Sequence, residues 1–154
     1  MKANQFEVFL KKRNRVNFWD NANGEYNDWF EKVTQFILII KEWLAPFEEK
    51  GLLAIKEERL QENLDFTNNN DVANKIVIQL DPLVSVIIEP HSKYAQKRNN
   101  KIEMIGPNNS ISIIYSNKYN WMFRKNIPVT EYEIVTKESF FNAIYNLSNH
   151  SRFY

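Results

Sequence analysis

The clearest periodicity in the chain runs from about Tyr26 to Ala45, where Trp29, Val33, Phe36, Ile40 and Trp43 recur at spacings of four, three, four and three. That spacing puts them along one side of an α-helix, and Phe30, Ile37 and Leu44 widen the stripe into a core-facing one. Pro46 ends this helix or begins a further turn, and Gly51 is placed to cap its C-terminus. Upstream, Phe6, Phe9 and Leu10, with Arg13, share a face of a shorter helix over 3–15. Asn14, Asn17 and the run Asp20-Asn21-Ala22-Asn23-Gly24 predict a break between the two helices.

After Gly51 the period falls from helical to two. Leu53 and Ile55 alternate with Ala54 and Lys56 in a first strand, and an acidic stretch from Glu57 to Glu62 follows without a readable state. Asn68–Asp71 reads as an exposed loop. Lys75–Leu80 and Leu83–Glu89 are dense in β-branched residues and are joined by the tight connection Asp81-Pro82, which predicts a pair of strands. Pro90 to Asn100 reads as a polar, basic loop. Lys101–Ile105 and Ser110–Ser116 flank the turn Gly106-Pro107-Asn108-Asn109. Tyr119–Lys125 continues this meander, and Glu131–Val135 adds a short edge strand. Thr136 is an N-cap for a last helix carrying Phe140, Phe141, Ile144 and Leu147.

The fold class expected is therefore α+β. N-terminal helices, one of them long and amphipathic, pack with a short C-terminal helix on an antiparallel sheet of about five or six strands. Antiparallel pairing is favoured because most connections are too short for a crossover. At 154 residues, with neither an internal repeat nor a linker, the chain reads as one domain over 1–154. Four tryptophans and eleven phenylalanines supply enough apolar volume for a core. A formal net charge of +1 gives the chain as a whole no pull toward nucleic acid or anionic membrane. The chain has no cysteine, which excludes disulfides, thiolate catalysis and cysteine-ligated metal. With no signal-peptide pattern near Met1 and no apolar run beyond Phe36–Ile40, the expectation is a soluble cytoplasmic protein without a membrane partner.

Candidate chemistry is sparse. The histidines are His91 and His150, and a metal site on His91 with Glu89 needs further carboxylates whose positions the sequence does not suggest. Ser92 beside His91 is no nucleophile elbow, and the three glycines are too scattered to cradle a phosphate. Asp81, Glu89 and Lys93 lie near strand ends in the manner of a cation-dependent nuclease, but the acidic-x-Lys triplet of such sites is broken by His91. No catalytic residue, metal or cofactor is therefore assigned.

Two basic clusters are candidates for phosphate contacts: Lys11, Lys12, Arg13 and Arg15, followed by Phe18-Trp19, and Lys93, Lys97, Arg98 and Lys101, which enclose Tyr94. The row Tyr119, Trp121 and Phe123 is read as packing beneath the long helix. The leading expectation is a non-enzymatic binding protein that acts through protein–protein contacts or self-association, as an adaptor, an immunity-type protein or an accessory subunit. Trp43, Phe47 and Trp121 are its candidate partner-binding residues. A nucleic-acid-binding module built on the basic clusters is the alternative, and an enzyme around Asp81, Glu89 and Lys93 comes third.

Overall fold

The architecture was obtained as a computed structural model, which describes residues 2–12, 15–59, 74–91, 100–125 and 130–149, with the backbone alone over 9–12 and 15–27. Helix α1 spans Ala3–Lys12 and α2 spans Arg15–Glu49. Seven strands follow: β1 Ala54–Arg59, β2 Asn74–Asp81, β3 Val84–His91, β4 Lys101–Ile105, β5 Ser110–Ser116, β6 Asn120–Lys125 and β7 Glu131–Ile134. Helix α3, Lys137–Ser148, closes the described chain. The strands lie in sequence order in one sheet and every pair is antiparallel. The α+β class stands, with more strands than the five or six expected.

The apolar stripe of α2 forms the core with the sheet. Trp29, Val33, Phe36, Ile37, Ile40 and Leu44 are buried against Ile76 and Ile78 of β2, Val86 and Ile88 of β3, Ile102 and Met104 of β4, Ile113 of β5, and Trp121 and Phe123 of β6. Because strand side chains alternate, these residues all belong to one sheet face. Helix α3 adds Phe140, Ala143, Ile144 and Leu147 to the same layer. Its N-cap is Thr136, whose hydroxyl accepts from Ser139 N at 3.1 Å while Thr136 N donates to Ser139 Oγ at 2.7 Å. This reciprocal capping box satisfies two otherwise orphaned donors.

One helix boundary differs from the sequence reading, and the other falls on one of its two alternatives. The segment 13–14 lies outside the described residues, and from Arg15 α2 runs unbroken through Asn17, Asp20 and Asn23-Gly24. One glycine in a helix costs only about 1 kcal/mol, less than the hydrogen bonds that continuation retains. At the other end Pro46 lies inside α2, which continues to Glu49. The helix then stops in a Schellman motif: Leu52 N donates to Phe47 O at 2.9 Å, Gly51 N donates to Glu48 O at 3.0 Å, and Gly51 takes φ +71°.

Strand β3 also runs further than expected, through Pro90 and His91. Proline is tolerated here because the pairing of β2 with β3 ends at Ile76 and Ile88, so no N–H is required of residue 90 on that side. This extension of two residues positions the site.

Candidate metal centre

Residues 87, 89 and 91 of β3 alternate with the core residues Val86 and Ile88, so they point to the sheet face opposite the helices. The same holds for Lys101, Glu103 and Ile105 of β4. The β3–β4 register sets Ile87 opposite Ile105, Glu89 opposite Glu103, and His91 opposite Lys101. His91 is the one buried side chain on this face among the described residues, at 5% exposure, whereas the other buried sheet residues face the helices.

The His91 imidazole lies between two acids. Its Nε2 is 3.4 Å from Glu89 Oε2 and 3.2 Å from Glu103 Oε2, and both carboxylates are about one quarter exposed. Neither contact is aligned as a hydrogen bond, so Nε2 and Nδ1 are both buried without a hydrogen-bond partner. The distances mark the proximity of the groups; the missing alignment marks what the imidazole lacks. Glu103 is steadied from the next strand by Ser110 Oγ, which donates to its Oε1 at 3.4 Å.

Like charges set directly opposite on neighbouring strands oppose pairing. An arrangement of two carboxylates on one imidazole nitrogen therefore calls for a cation, either a proton on the ring or a metal ion. The potential ligand atoms of the three residues lie within 4.8 Å of one another. Ligands held at zinc's usual bond lengths in a tetrahedron are separated by roughly 3.4 Å, which the two contacts to Nε2 match. One nitrogen and two carboxylate oxygens suit a divalent ion of the zinc, manganese or iron group rather than a soft copper(I) site. Metal-bound imidazoles ordinarily donate their second N–H to an acceptor. No described residue accepts from Nδ1, so packing sets the ring orientation.

The remaining residues of this face, open among the described residues, form rows across the strands. Val77, Ile87 and Ile105 make an apolar row over β2, β3 and β4, and Ile114, Met122 and Ile134 make another over β5, β6 and β7. Between them runs a polar row, Glu89–Glu103–Ser112–Arg124–Tyr132, with one residue from each of five strands. Arg124 Nε is buried with no hydrogen-bond partner, while Tyr132 and Ile134 are about half exposed.

The other residues singled out in the sequence are dispersed. Asp81 shapes the β2–β3 turn, its Oδ1 accepting from Leu83 N at 2.7 Å and Val84 N at 2.9 Å. The five steps along β3 from Val84, opposite Asp81, to Glu89 place it roughly 17 Å from the cluster, and Lys93 lies outside the described residues. Of the basic clusters, Lys93, Lys97 and Arg98 also lie outside them, as do the side chains of Lys11, Lys12, Arg13 and Arg15. Lys101 is on the open face opposite His91.

Trp121 is buried, its ring 5.6 Å from that of Trp29, 4.8 Å from that of Phe36 and 5.2 Å from that of Tyr115. Phe123 is buried as well, but Tyr119 sits in the turn before β6 and is exposed. Trp43 stacks obliquely on Phe140 at 5.7 Å, and Phe47 meets Phe141 edge-on at 5.6 Å. These aromatics hold the helices to each other and to the sheet and do not form one exposed patch.

Glu103 had no place in the sequence reading. The spacing of Glu89 and His91, two apart in a strand, carried half of the signal; the other half is a register that only the folded sheet specifies. No family model, curated protein or solved structure matches the chain.

Proposed function

We propose that this protein is a divalent-cation-dependent binding protein. It holds a zinc-type ion at Glu89, His91 and Glu103 and presents the open face of its sheet to a second molecule. The observation that carries this reading is His91, a buried imidazole without a hydrogen-bond partner and within 3.4 Å of carboxylates from two strands. All three donors project from one face of a single hairpin, so they approach an ion from one side and leave it open positions.

A non-catalytic role as an adaptor, an immunity-type protein or an accessory subunit accords with the rest of that face. The apolar rows on either side of the polar one, the second ending in half-exposed Ile134 beside half-exposed Tyr132 of the polar row, supply contact area for a protein partner. The aromatic residues first considered for docking are engaged in packing, which moves the proposed contact surface from the helices to the sheet.

The test is calorimetric titration of Zn2+ and Mn2+ into EDTA-stripped protein. One ion per chain is expected, with micromolar-order affinity for zinc. His91→Ala and Glu103→Gln should each abolish binding while far-UV circular dichroism stays unchanged. Absence of binding, or equal binding by both variants, overturns the reading.

A further inference from the structure

The polar row on the open face continues past the proposed ion site, and its chemistry changes sign along the way. Glu89 and Glu103 are followed, one strand at a time, by Ser112, Arg124 and Tyr132. Neighbouring strands are about 4.8 Å apart, so the backbone of Arg124 lies about 10 Å from that of Glu103, with the Ser112 position between them. Arg124 forms no ion pair among the described residues, and its Nε is buried without a hydrogen-bond partner. A desolvated guanidinium donor with no acceptor is costly, and a planar fork of N–H groups is suited to a phosphoryl oxyanion.

Electrostatics couples this half of the row to the other. Without an ion, the two carboxylates of the row outweigh its one guanidinium, and Lys101, opposite His91 on the same face, only balances them. With a divalent ion in place the carboxylates are neutralised, and Arg124 leaves the row net positive. The ion also offers open coordination positions to an oxygen ligand, and Ser112 and Tyr132 are the register neighbours of Arg124 on either side.

On the reading of Glu89, His91 and Glu103 as a cation site, on which it rests, we infer that the open face binds a phosphomonoester. One of its oxygens sits on the ion and the others are held by Arg124 and the hydroxyls beside it. A monoester dianion suits this set better than a diester, because it brings more acceptor oxygens and more charge to a site with a guanidinium, two hydroxyls and a cation. Binding depends on the metal, since without it the two carboxylates cancel the positive charge of Arg124 and Lys101.

The experiment follows water-proton relaxation of the Mn2+-loaded protein as inorganic phosphate, phenyl phosphate or dimethyl phosphate is added. Phosphate and phenyl phosphate should displace ion-bound water and lower the relaxivity saturably, whereas dimethyl phosphate should not. Arg124→Ala should bind Mn2+ as the wild type does and weaken phenyl phosphate on the order of tenfold or more, with Arg124→Lys recovering part of the loss. Mn2+ binding unaffected by any phosphate, equal phosphate affinity in Arg124→Ala, or equal binding of the diester overturns the inference and leaves the cation site standing. Failure to bind Mn2+ at all removes the cation site and this inference together.

Discussion

Glu103 lies directly opposite Glu89 across the β3–β4 pair, and both carboxylates turn to the same nitrogen of His91. Two acids so placed gain little from each other without a cation. Glu103→Gln is therefore expected to leave the metal-free protein at least as stable as the wild type, because it removes one of two opposed charges. The metal-dependent part of stability should vanish in the same variant. At about a hundredfold excess of ion over its dissociation constant the wild type gains about 2.7 kcal/mol, seen as a rise in Tm of roughly 5–10 °C for a domain of this size. Thermal melts in EDTA and in Zn2+ measure both quantities. A Glu103→Gln protein that melts well below the wild type in EDTA would make the cluster an internal ion pair to a protonated His91.

Asp81 separates the cation site from the nuclease arrangement first considered. Its carboxylate accepts from Leu83 N and Val84 N in the β2–β3 turn, which is the ordinary work of an aspartate before a tight turn. Asp81→Ala should cost about 1 kcal/mol of stability through the lost turn bonds and leave Zn2+ affinity unchanged. Chemical denaturation with a parallel metal titration decides the matter; a fall in metal affinity would tie Asp81 to the site.

Gly106 is required by a close approach rather than by its own dihedral angles. A Cβ at this position would meet the Leu147 carbonyl oxygen, with Leu147 Cβ at 2.8 Å and Leu147 C at 2.9 Å. The backbone of α3 cannot step aside as a flexible side chain would. Gly106→Ala should therefore destabilise the fold by about 1–3 kcal/mol, and the shift should appear as a lower urea midpoint. A neutral result would show that the α3 C-terminus moves away from the β4–β5 turn without cost.

Much of this architecture was legible because its signals are local. Lys101–Ile105 and Ser110–Ser116 match the observed strands, since alternation and the turn Gly106–Asn109 act within a dozen residues. Gly51 and Thr136 cap the helices as their residue types require. The misread boundaries involve local signals overridden by context. Asn23-Gly24 marks a turn in isolation yet sits within α2. Pro90 reads as a strand terminator but occupies a stretch of β3 where β2 no longer pairs. The site was harder to find for the same reason. Ending β3 before Pro90 hides that Glu89 and His91 share a face, and no local pattern reveals that Glu103, twelve residues beyond His91, returns to the same point.

Trp121 distinguishes packing from docking. Its ring lies among Trp29, Phe36 and Tyr115, and the residue is 9% exposed. It joins the N-terminal part of the α2 stripe to β5 and β6. Truncation would leave a cavity bounded by three other aromatics that cannot all close inward, so Trp121→Ala should cost about 3–5 kcal/mol. That is a large share of the whole stability of an ordinary domain. Ile134→Ser, half-exposed at the sheet edge, should change stability by no more than about 0.5 kcal/mol, while weakening any partner that docks on the open face. Equilibrium denaturation of the two variants side by side checks the contrast. A Trp121→Ala protein as stable as the wild type would return this tryptophan to the surface and to the partner-binding role that the sequence alone suggested.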